Sequence, residues 1–449
     1  METIQDQVAA EATVAQQAWT VALGAATAGI ADCFARREPR LLVREMCEAM
    51  LMELDTRNCW TLAEALGHCG PHRLQHCLAR AAFDHDLARD RLAVWTAGEL
   101  ADGQAVVIAD ETGDAKSSTE AVGAAYQYSG ALGGVGLCQV AVHLTYATHR
   151  GHAIIDRALY LPAAWAEDEE RRLLRHVPDE IAFATKPQLA AAMLARARIL
   201  GIVARWFAGD EVYGGRELRC EARRLGFDYT LAVKADHHLT TSGGRYTAAE
   251  LARLIPKKAW MRMRTGHGLK GDRHYDWALV DVQADDTPDG HEDGHSHLVI
   301  RRHRYTGELS FYRCHSTTPV TLATLIEVIC YRWKIEEDFQ LHKGSCGLDQ
   351  GQTTCWNSWM RWTLISMLAA AVLTITRLRT TAASSPPGPL RLVAASAREL
   401  LRILRATVLP APCRDLDHVL RWSAWRRHHQ HQAAQAHRNW NNITAAATT

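Results

Sequence analysis

The sequence predicts an α/β fold in which a mixed five-stranded sheet carries helices on its faces. Three observations support this prediction. Ala, Leu, Arg and Glu dominate residues 1–98, where prolines are few, which is typical of helices. Short β-branched runs alternate with helical stretches in residues 99–234. Residues 235–320 contain short strand-like runs with Gly-containing turns, which predicts a β-rich insertion.

Five runs in residues 99–234 have the composition of strands bounded by turn residues. Short links join the first three runs, which favours antiparallel pairing. Helices predicted over 186–201 and 215–226 precede the fourth and fifth runs, which favours parallel pairing of these two. This order matches the ribonuclease-H-like layout. The runs are Ala105–Asp110, Gly136–Ala147, His152–Pro162, Ile202–Asp210 and Asp228–Lys234.

Helical segments surround the sheet in the sequence. The sheet domain is predicted to consist of residues 99–234 and 321–380 and to include one long helix over Leu322–His342. Residues 381–449 are predicted to form a basic helical region, which is broken at Ser384–Pro389.

The N-terminal helical region contains a candidate DNA-binding unit. Residues 60–82 form two helical stretches with a break at Gly67–Pro71, and the second stretch carries Arg73, His76 and Arg80. The pattern is compatible with a helix-turn-helix whose second helix enters a DNA major groove. It is equally compatible with a plain helical hairpin.

Composition indicates a globular protein with almost no net charge. The chain has 449 residues, of which 47% are hydrophobic and 22% charged, as in globular proteins. Lys and Arg number 51 against 50 Asp and Glu, so any basic surface must be local. No basic segment precedes the first apolar stretch, and the longest apolar run, Leu364–Ile375, is too short to span a bilayer. We therefore expect a cytoplasmic protein without a membrane partner.

Two aspartates stand at the ends of predicted strands. Asp110 ends the first run and Asp210 ends the fourth, and these strands are neighbours in a ribonuclease-H-like sheet. A single acid at a strand end is more often a turn or cap residue. Converging carboxylates are instead suited to Mg²⁺ or Mn²⁺. Strand alternation sends the neighbouring Glu111 and Glu211 to the opposite faces.

The predicted long helix supplies a third acid. Arg332, Glu336 and Lys343 are spaced by 4 and 7 residues, which places them on one stripe at about 100° per residue. Glu337 and Asp338 lie roughly 100° and 200° around the helix axis from Glu336, so they are poorer candidates for the same site. The stripe is compatible with an exposed ion pair. Together with the two aspartates, it favours a metal ligand flanked by two phosphate-binding cations.

Several short motifs are distributed along nearly the whole chain. Together they resemble bacterial insertion-sequence transposases of the DDE class, in the subgroup with a β-rich insertion before the last acidic residue. The motifs are IADETGDAKSS at 108–118, QYSG at 127–130, LYLPAAW at 159–165, FATKP at 183–187, FAGDEVYG at 207–214, LAVK at 231–234, GLKGDRHYDWA at 268–278, YRWKIEEDFQLHKGSCGLDQ at 331–350 and WSAWRRHHQ at 422–430.

The resemblance implies a catalytic and metal-binding set of Asp110, Asp210 and Glu336, which would hold two divalent ions, Mg²⁺ with Mn²⁺ able to substitute. The family signature Tyr-x2-Arg-x3-Glu-x6-Lys matches Arg332, Glu336 and Lys343, although its tyrosine position is Ile329 here. The family often has two basic residues after its first acid motif. Here Lys116 is followed by Ser117, so Lys116 is the expected phosphate contact.

The resemblance also implies cut-and-paste transposition by a homodimer that binds terminal inverted repeats and joins them to target DNA. Residues 401–440 contain seven Arg against two acids, and Arg426 and Arg427 are candidate contacts to the DNA backbone. Relatives with a β insertion hold a flipped base, for which Trp260 or Trp277 is a candidate, although we favour the interpretation that both are strand aromatics in a small core.

Two other functions compete with transposition. The chain could be a captured, catalytically silent DNA-binding protein, although the three acids and both stripe cations are intact. It could also be another ribonuclease-H-like nuclease, such as a junction resolvase. The β-rich insertion and the large helical flanks count against a compact nuclease.

Overall fold

The computed structural model describes residues 4–268, 271–383 and 392–447. Its N-terminal part is helical, as predicted. Asn58 caps the third helix through the backbone N–H groups of Trp60 and Thr61. A turn at residues 66–71 then separates the third helix from the fourth. The helices are α1 (Ile4–Gly29), α2 (Arg37–Leu51), α3 (Cys59–Ala65), α4 (His72–Ala79) and α5 (His85–Leu100).

The central part is a mixed sheet with helices between its later strands. The five predicted strands and their pairing directions are confirmed, in the order β4-β3-β1-β5-β6 with β1, β5 and β6 parallel. β2, which was not predicted, pairs with the start of β3. The elements are β1 (Val106–Ala115), β2 (Ala125–Ser129), β3 (Gly134–Thr148), β4 (Gly151–Tyr160), α6 (Ala163–Ala166), α7 (Glu169–Leu174), α8 (Lys186–Ile199), β5 (Trp206–Gly209), α9 (Arg216–Arg224) and β6 (Asp228–Val233).

The insertion is β-rich, as predicted, but it continues the central sheet. Its last strand pairs antiparallel with β6, so the sheet contains ten strands rather than five. Pairing covers the edge of β6, which would otherwise present unpaired backbone groups. The elements are β7 (His238–Thr241), β8 (Gly244–Thr247), α10 (Ala248–Leu254), β9 (Met261–Gly268), β10 (Gly271–Asp281), β11 (His295–Arg302) and β12 (Leu309–Ser316).

Buried charges attach the insertion to the central part. Asp286, in the connection between β10 and β11, is fully buried and lies 2.8 Å from Arg219 and 2.7 Å from Arg223 of α9. Tyr229 of β6 also donates a hydrogen bond to Asp286. Burial alone would raise the pKa of Asp286, but Arg219, Tyr229 and Arg223 lower it. The insertion is therefore held by a paired buried carboxylate as well as by strand pairing.

The C-terminal part is helical. The single helix predicted over Leu322–His342 is wrong, because the chain forms two helices separated at Arg332 and Trp333. The backbone N–H groups of both residues bond to the carbonyl three residues earlier, which ends the first helix with a tighter turn. The break predicted at Ser384–Pro389 lies outside the described residues. The helices are α11 (Leu322–Tyr331), α12 (Lys334–Cys346), α13 (Trp356–Ala383), α14 (Ala397–Thr407) and α15 (Leu416–Ala447).

One helix runs through the core. α13 packs against α1, α2, α5 and β4, and its tryptophans Trp356, Trp359 and Trp362 are buried packing residues, as expected. Within the described residues it is the one helix that is long and apolar enough to cross a membrane, because it extends well beyond the apolar run noted in the sequence. Of its most apolar stretch, 94% is buried inside the fold, as in the core helix of a globular protein.

Candidate active site

Two aspartates leave the centre of the sheet side by side. The parallel pairing of β1 with β5 ends at Ala109 and Gly209, which lie opposite each other. Asp110 and Asp210 are therefore the next residues on adjacent strands. Asp210 follows β5 directly, as predicted. The prediction that Asp110 also ends its strand was wrong, because β1 continues along β3 to Ala115.

The two aspartates have different surroundings. The Asp110 side chain is buried, and its carboxylate accepts hydrogen bonds from the backbone N–H of Glu111 at 2.8 Å and from Arg332 Nη1 at 3.2 Å. The half-buried Asp210 accepts one from the backbone N–H of Val212 at 2.9 Å. Arg332 therefore reaches Asp110 from the helical segment that carries the third predicted acid.

The third predicted acid, Glu336, lies in the first turn of α12. Both of its acidic neighbours are engaged elsewhere. Glu337 pairs with Lys334 at 3.0 Å and with His152 at 3.1 Å, and Asp338 pairs with His152 at 2.8 Å. Within the described part of the chain, no hydrogen bond or ion pair holds the Glu336 carboxylate. Of the three adjacent acids, Glu336 is thus the one whose carboxylate is available to a ligand.

The Asp110 carboxyl is affected by burial and by the charges of both other acids. Burial, followed by the nearby carboxylates of Asp210 and Glu336, raises the pKa of Asp110 to about 8, although Arg332 opposes the shift. Burial also raises the pKa of Asp210. Carboxylates that repel one another in a poorly solvated place are unfavourable without a cation between them. Oxygen donors of this kind fit Mg²⁺ or Mn²⁺, so the donor set matches the expected metal chemistry.

Three predicted phosphate-binding residues surround β1. Arg332 contacts Asp110, as described above. Lys343 Nζ donates a hydrogen bond to the backbone carbonyl of Gly113 at 2.9 Å, and Lys116 Nζ pairs with Asp114 at 2.6 Å. Each ammonium group has three donors, so these contacts leave donors for a phosphate. The cations thus line the strand that carries Asp110.

The two C-terminal arginines belong to a different surface. Arg426 of α15 pairs with Glu64 of α3, and the side chain of Arg427 is exposed. Trp422 Nε1 also donates to the backbone carbonyl of His68, between α3 and α4, at 2.8 Å. The basic C-terminal helix therefore lies against the pair of helices in which the sequence predicts a helix-turn-helix.

A groove is connected with the acidic site through Arg332, which lines the groove and contacts Asp110; the sequence prediction missed most of its other lining residues. The groove has a volume of about 960 Å³ and lies between strands β9–β11 of the insertion and the break between α11 and α12. Its lining mixes basic and aromatic side chains, and the alternation of these types in the insertion strands was the available signal. These residues include Arg264, Arg273, Tyr275, Arg301, Tyr312, Tyr331, Arg332, Trp333 and Lys334.

The two tryptophans considered for base stacking have different positions. Trp277 is fully buried and packs against Tyr312, with ring centroids 6.3 Å apart, so it is a core residue of the insertion. The ring of Trp260 is covered by the guanidinium of Arg302 at 4.1 Å. The exposed aromatic residue in the groove is instead Trp333, whose side chain is 54% accessible.

The pairing of His152 with α12 predicts a pH dependence of stability. Burial alone would lower the pKa of His152, but the carboxylates of Asp338 and Glu337 outweigh it and raise the pKa to about 9. Protonated His152 therefore stabilises the fold fully below about pH 6.5, and this contribution is lost as pH rises towards 9. We expect the free energy of unfolding to fall by up to about 3 kcal/mol across this range.

Denaturant unfolding between pH 6 and 9.5 would measure this contribution. The variant His152→Gln should be less stable than the wild type at pH 6 and should lack this part of the decline. A variant whose profile runs parallel to that of the wild type would contradict the assigned role of His152.

Comparison with known families identifies the superfamily. The chain matches the family described as DDE superfamily endonuclease over residues 30–253, about half of its length. The matched range contains the strands that carry Asp110 and Asp210 and ends before α12. No curated protein matches the chain. Members of this superfamily are nucleases that generally use divalent metal ions and act on DNA. On the fold and on this match, the chain belongs to the DDE superfamily of endonucleases.

Proposed function

We propose that the protein is a DDE transposase that cleaves DNA at the ends of a mobile element and joins the released 3′-hydroxyls to target DNA. The observation that supports this proposal is that Asp110 and Asp210 directly follow paired residues of β1 and β5, with Arg332 bound to Asp110 and Glu336 four residues after Arg332. Mg²⁺ is the expected metal, and Mn²⁺ should substitute for it.

The three carboxylates have the donor chemistry to hold two divalent ions, which when bound supply activation of the attacking oxygen and stabilisation of the leaving oxygen. The residues of the chain do the positioning. Arg332 keeps guanidinium donors beyond its contact with Asp110, and these can bind the phosphate next to the cleaved bond. Lys343 and Lys116 supply further donors along β1.

The basic and aromatic groove supports DNA as the substrate. Arg332 belongs both to the groove and to the acidic site, so a strand that lies in the groove would pass directly to the carboxylates. Arginines bind the phosphate backbone without regard to sequence, and aromatic rings stack on unpaired bases. Trp333 is exposed within this groove and is our candidate for such stacking.

The surface made by α4 and α15 is our candidate for recognition of the terminal inverted repeats. α4 carries Arg73 and His76, and Arg80 directly follows it; these three residues line a cleft of about 500 Å³ with Arg36. Arg427 of α15 is exposed and could follow the backbone of the same duplex. Because an element has two ends, two copies of the chain are required to process them together, so we propose a homodimer in the synaptic complex.

Strand cleavage tests the proposal. A labelled duplex that carries the flanking ends of the gene would be incubated with Mg²⁺, Mn²⁺ or EDTA. We expect metal-dependent nicking at the element boundary by the wild type and none by Glu336→Gln. Glu211→Gln is the matched control, because it removes an exposed acid next to Asp210.

Each outcome separates the candidate functions. Binding without cleavage by the wild type in either metal would favour a silent DNA-binding protein. Cleavage of branched DNA without preference for element ends would favour a junction-resolving nuclease. Equal cleavage by Glu336→Gln and the wild type would mean that another acid, with Glu337 first, completes the site.

A further inference from the structure

A second basic cleft also borders α12. It has a volume of about 750 Å³ and is bounded by the turn between β3 and β4, by Glu337, Gln340 and Leu341 of α12, by the end of α13 and by the start of α14. Three exposed arginines, Arg150, Arg377 and Arg398, come from three of these elements and face the cleft. We refer to this site as the arginine cleft.

The charge of the arginine cleft is not compensated. Arg150 Nη1 donates to the backbone carbonyl of Ala101 at 3.3 Å, and Arg377 Nε donates to that of Ala395 at 3.1 Å. The side chain of Arg398 extends to α12 and ends beside Gly344. Its Nη2 atom lies 3.7 Å from the point where the Cβ atom would be if residue 344 had a side chain. Among the described residues, none of the three arginines has a carboxylate partner.

Nearby arginines behave differently. Arg379, two residues after Arg377 in α13, pairs with Glu99 at 2.7 Å, and Arg402, one turn after Arg398 in α14, pairs with Glu399 at 3.0 Å. The acid that lines the cleft, Glu337, is already paired with Lys334 and His152. Like charges gathered without counter-charges repel one another, so the arrangement is favourable when a polyanion binds.

The arginine cleft is connected with the groove at the active site. His149 and Glu337 line both, so the two sites meet where α12 begins. The groove adjoins Arg332 and suits the strand that is cleaved. A joining reaction requires a second DNA close to the same carboxylates, and the arginine cleft is a separate basic surface that borders the helix carrying Glu336.

We propose that the arginine cleft binds the phosphodiester backbone of the target DNA during strand transfer. The proposal rests on the transposase function proposed above. A duplex is about 20 Å wide and does not fit in a cleft of this volume, so contact is limited to the backbone of one strand, held by guanidinium groups at the rim. The same arginines would also bind the phosphates in the outer part of the element end. The experiment distinguishes target DNA from the element end as the bound DNA.

The test compares Arg150→Gln/Arg377→Gln/Arg398→Gln with the wild type in three assays. Cleavage of the end duplex, transfer of pre-cleaved ends into a plasmid, and salt-dependent binding of a plain duplex would each be measured. We expect transfer to fall by roughly tenfold or more at 150 mM salt, with end cleavage within about twofold of wild type. The slope of log affinity against log salt should fall by about 2–3.

Arg402→Gln is the matched control, because it removes an arginine of α14 that is already paired with Glu399. Arg398→Glu serves as a second variant, since reversal of one exposed charge leaves the core intact and should reduce transfer in the same direction. An equal loss of end cleavage and transfer in the triple variant would assign the cleft to the element end and overturn the target assignment. Unchanged transfer in both variants would overturn it as well.

The experiment distinguishes failure of the proposed transposase function from failure of the arginine-cleft proposal. If the wild type neither cleaves nor joins DNA, the transposase proposal fails, while duplex binding still reports on the arginine cleft. A salt slope that is unchanged in the triple variant would then show that the cleft does not bind a DNA backbone.

Discussion

The variant Asp110→Asn is expected to lose strand cleavage and, in the absence of metal, to be more stable than the wild type. Burial, with Asp210 and Glu336 nearby, raises the pKa of Asp110 to about 8. Holding this carboxyl in the fold at neutral pH therefore costs free energy, and asparagine relieves that cost. We expect a gain on the order of 2 kcal/mol in EDTA. Cleavage should fall by roughly 10²–10³-fold or more, the scale for removal of one electrostatic group from an active site.

The neighbouring acid provides a control of opposite sign. Glu111 accepts a hydrogen bond from Tyr213 at 2.7 Å and pairs with Lys186 at 2.6 Å, so its charge is compensated. Glu111→Gln should therefore lower the thermal midpoint, because it weakens a half-buried pair. Each of the two substitutions replaces a carboxyl with an amide at adjacent residues of β1. Opposite effects on stability would distinguish Asp110, as a metal-ligand residue, from Glu111, as a residue that stabilises the fold.

Thermal unfolding with and without Mg²⁺ would measure both effects. The wild type should gain stability when Mg²⁺ is added, since a ligand that binds the folded state stabilises it. Asp110→Asn should gain less. If Asp110→Asn were destabilised in EDTA and still responded to Mg²⁺ like the wild type, Asp110 would be a structural residue and the metal would bind elsewhere.

The strand order and the positions of the two aspartates could be predicted because both depend on local patterns. Alternation and turn residues mark each strand, and the length of each connection decides between antiparallel and parallel pairing. The extent of β1 could not be predicted in this way. β1 continues past Asp110 because β3 supplies partners as far as Cys138, opposite Ala115. That pairing is a property of two distant segments.

The choice among the three adjacent acids of α12 likewise depends partly on local spacing and partly on contacts with distant residues. Helical spacing favoured Glu336, and it assumed one uninterrupted helix. The chain instead breaks at Arg332, yet the long Arg332 side chain still reaches Asp110. The structural reason that sets Glu336 apart is that His152, on β4, pairs with both Glu337 and Asp338. No spacing within the helix could reveal a partner so distant in sequence.

The attachment of the insertion to the central sheet also depends on residues that are distant in sequence. Disrupting this attachment is expected to have a large effect on stability. Asp286→Ala is expected to destabilise the protein by about 3–5 kcal/mol, because it leaves the buried Arg223 without its carboxylate partner, whereas Arg219 keeps its pair with Asp285. Tyr229 would lose its acceptor as well. Urea unfolding followed by far-ultraviolet circular dichroism would measure the change in the free energy of unfolding.

Asp289→Ala is the matched control, because Asp289 is an exposed acid in the same connection between β10 and β11, and its removal should change stability by less than about 0.5 kcal/mol. The insertion provides Arg273 and Arg301 to the groove beside the acids. Loosening its attachment should therefore also weaken DNA cleavage, while Asp289→Ala leaves it unchanged. A stable Asp286→Ala variant would mean that strand pairing between β6 and β12 holds the insertion by itself. The buried carboxylate would then have a role other than stabilisation.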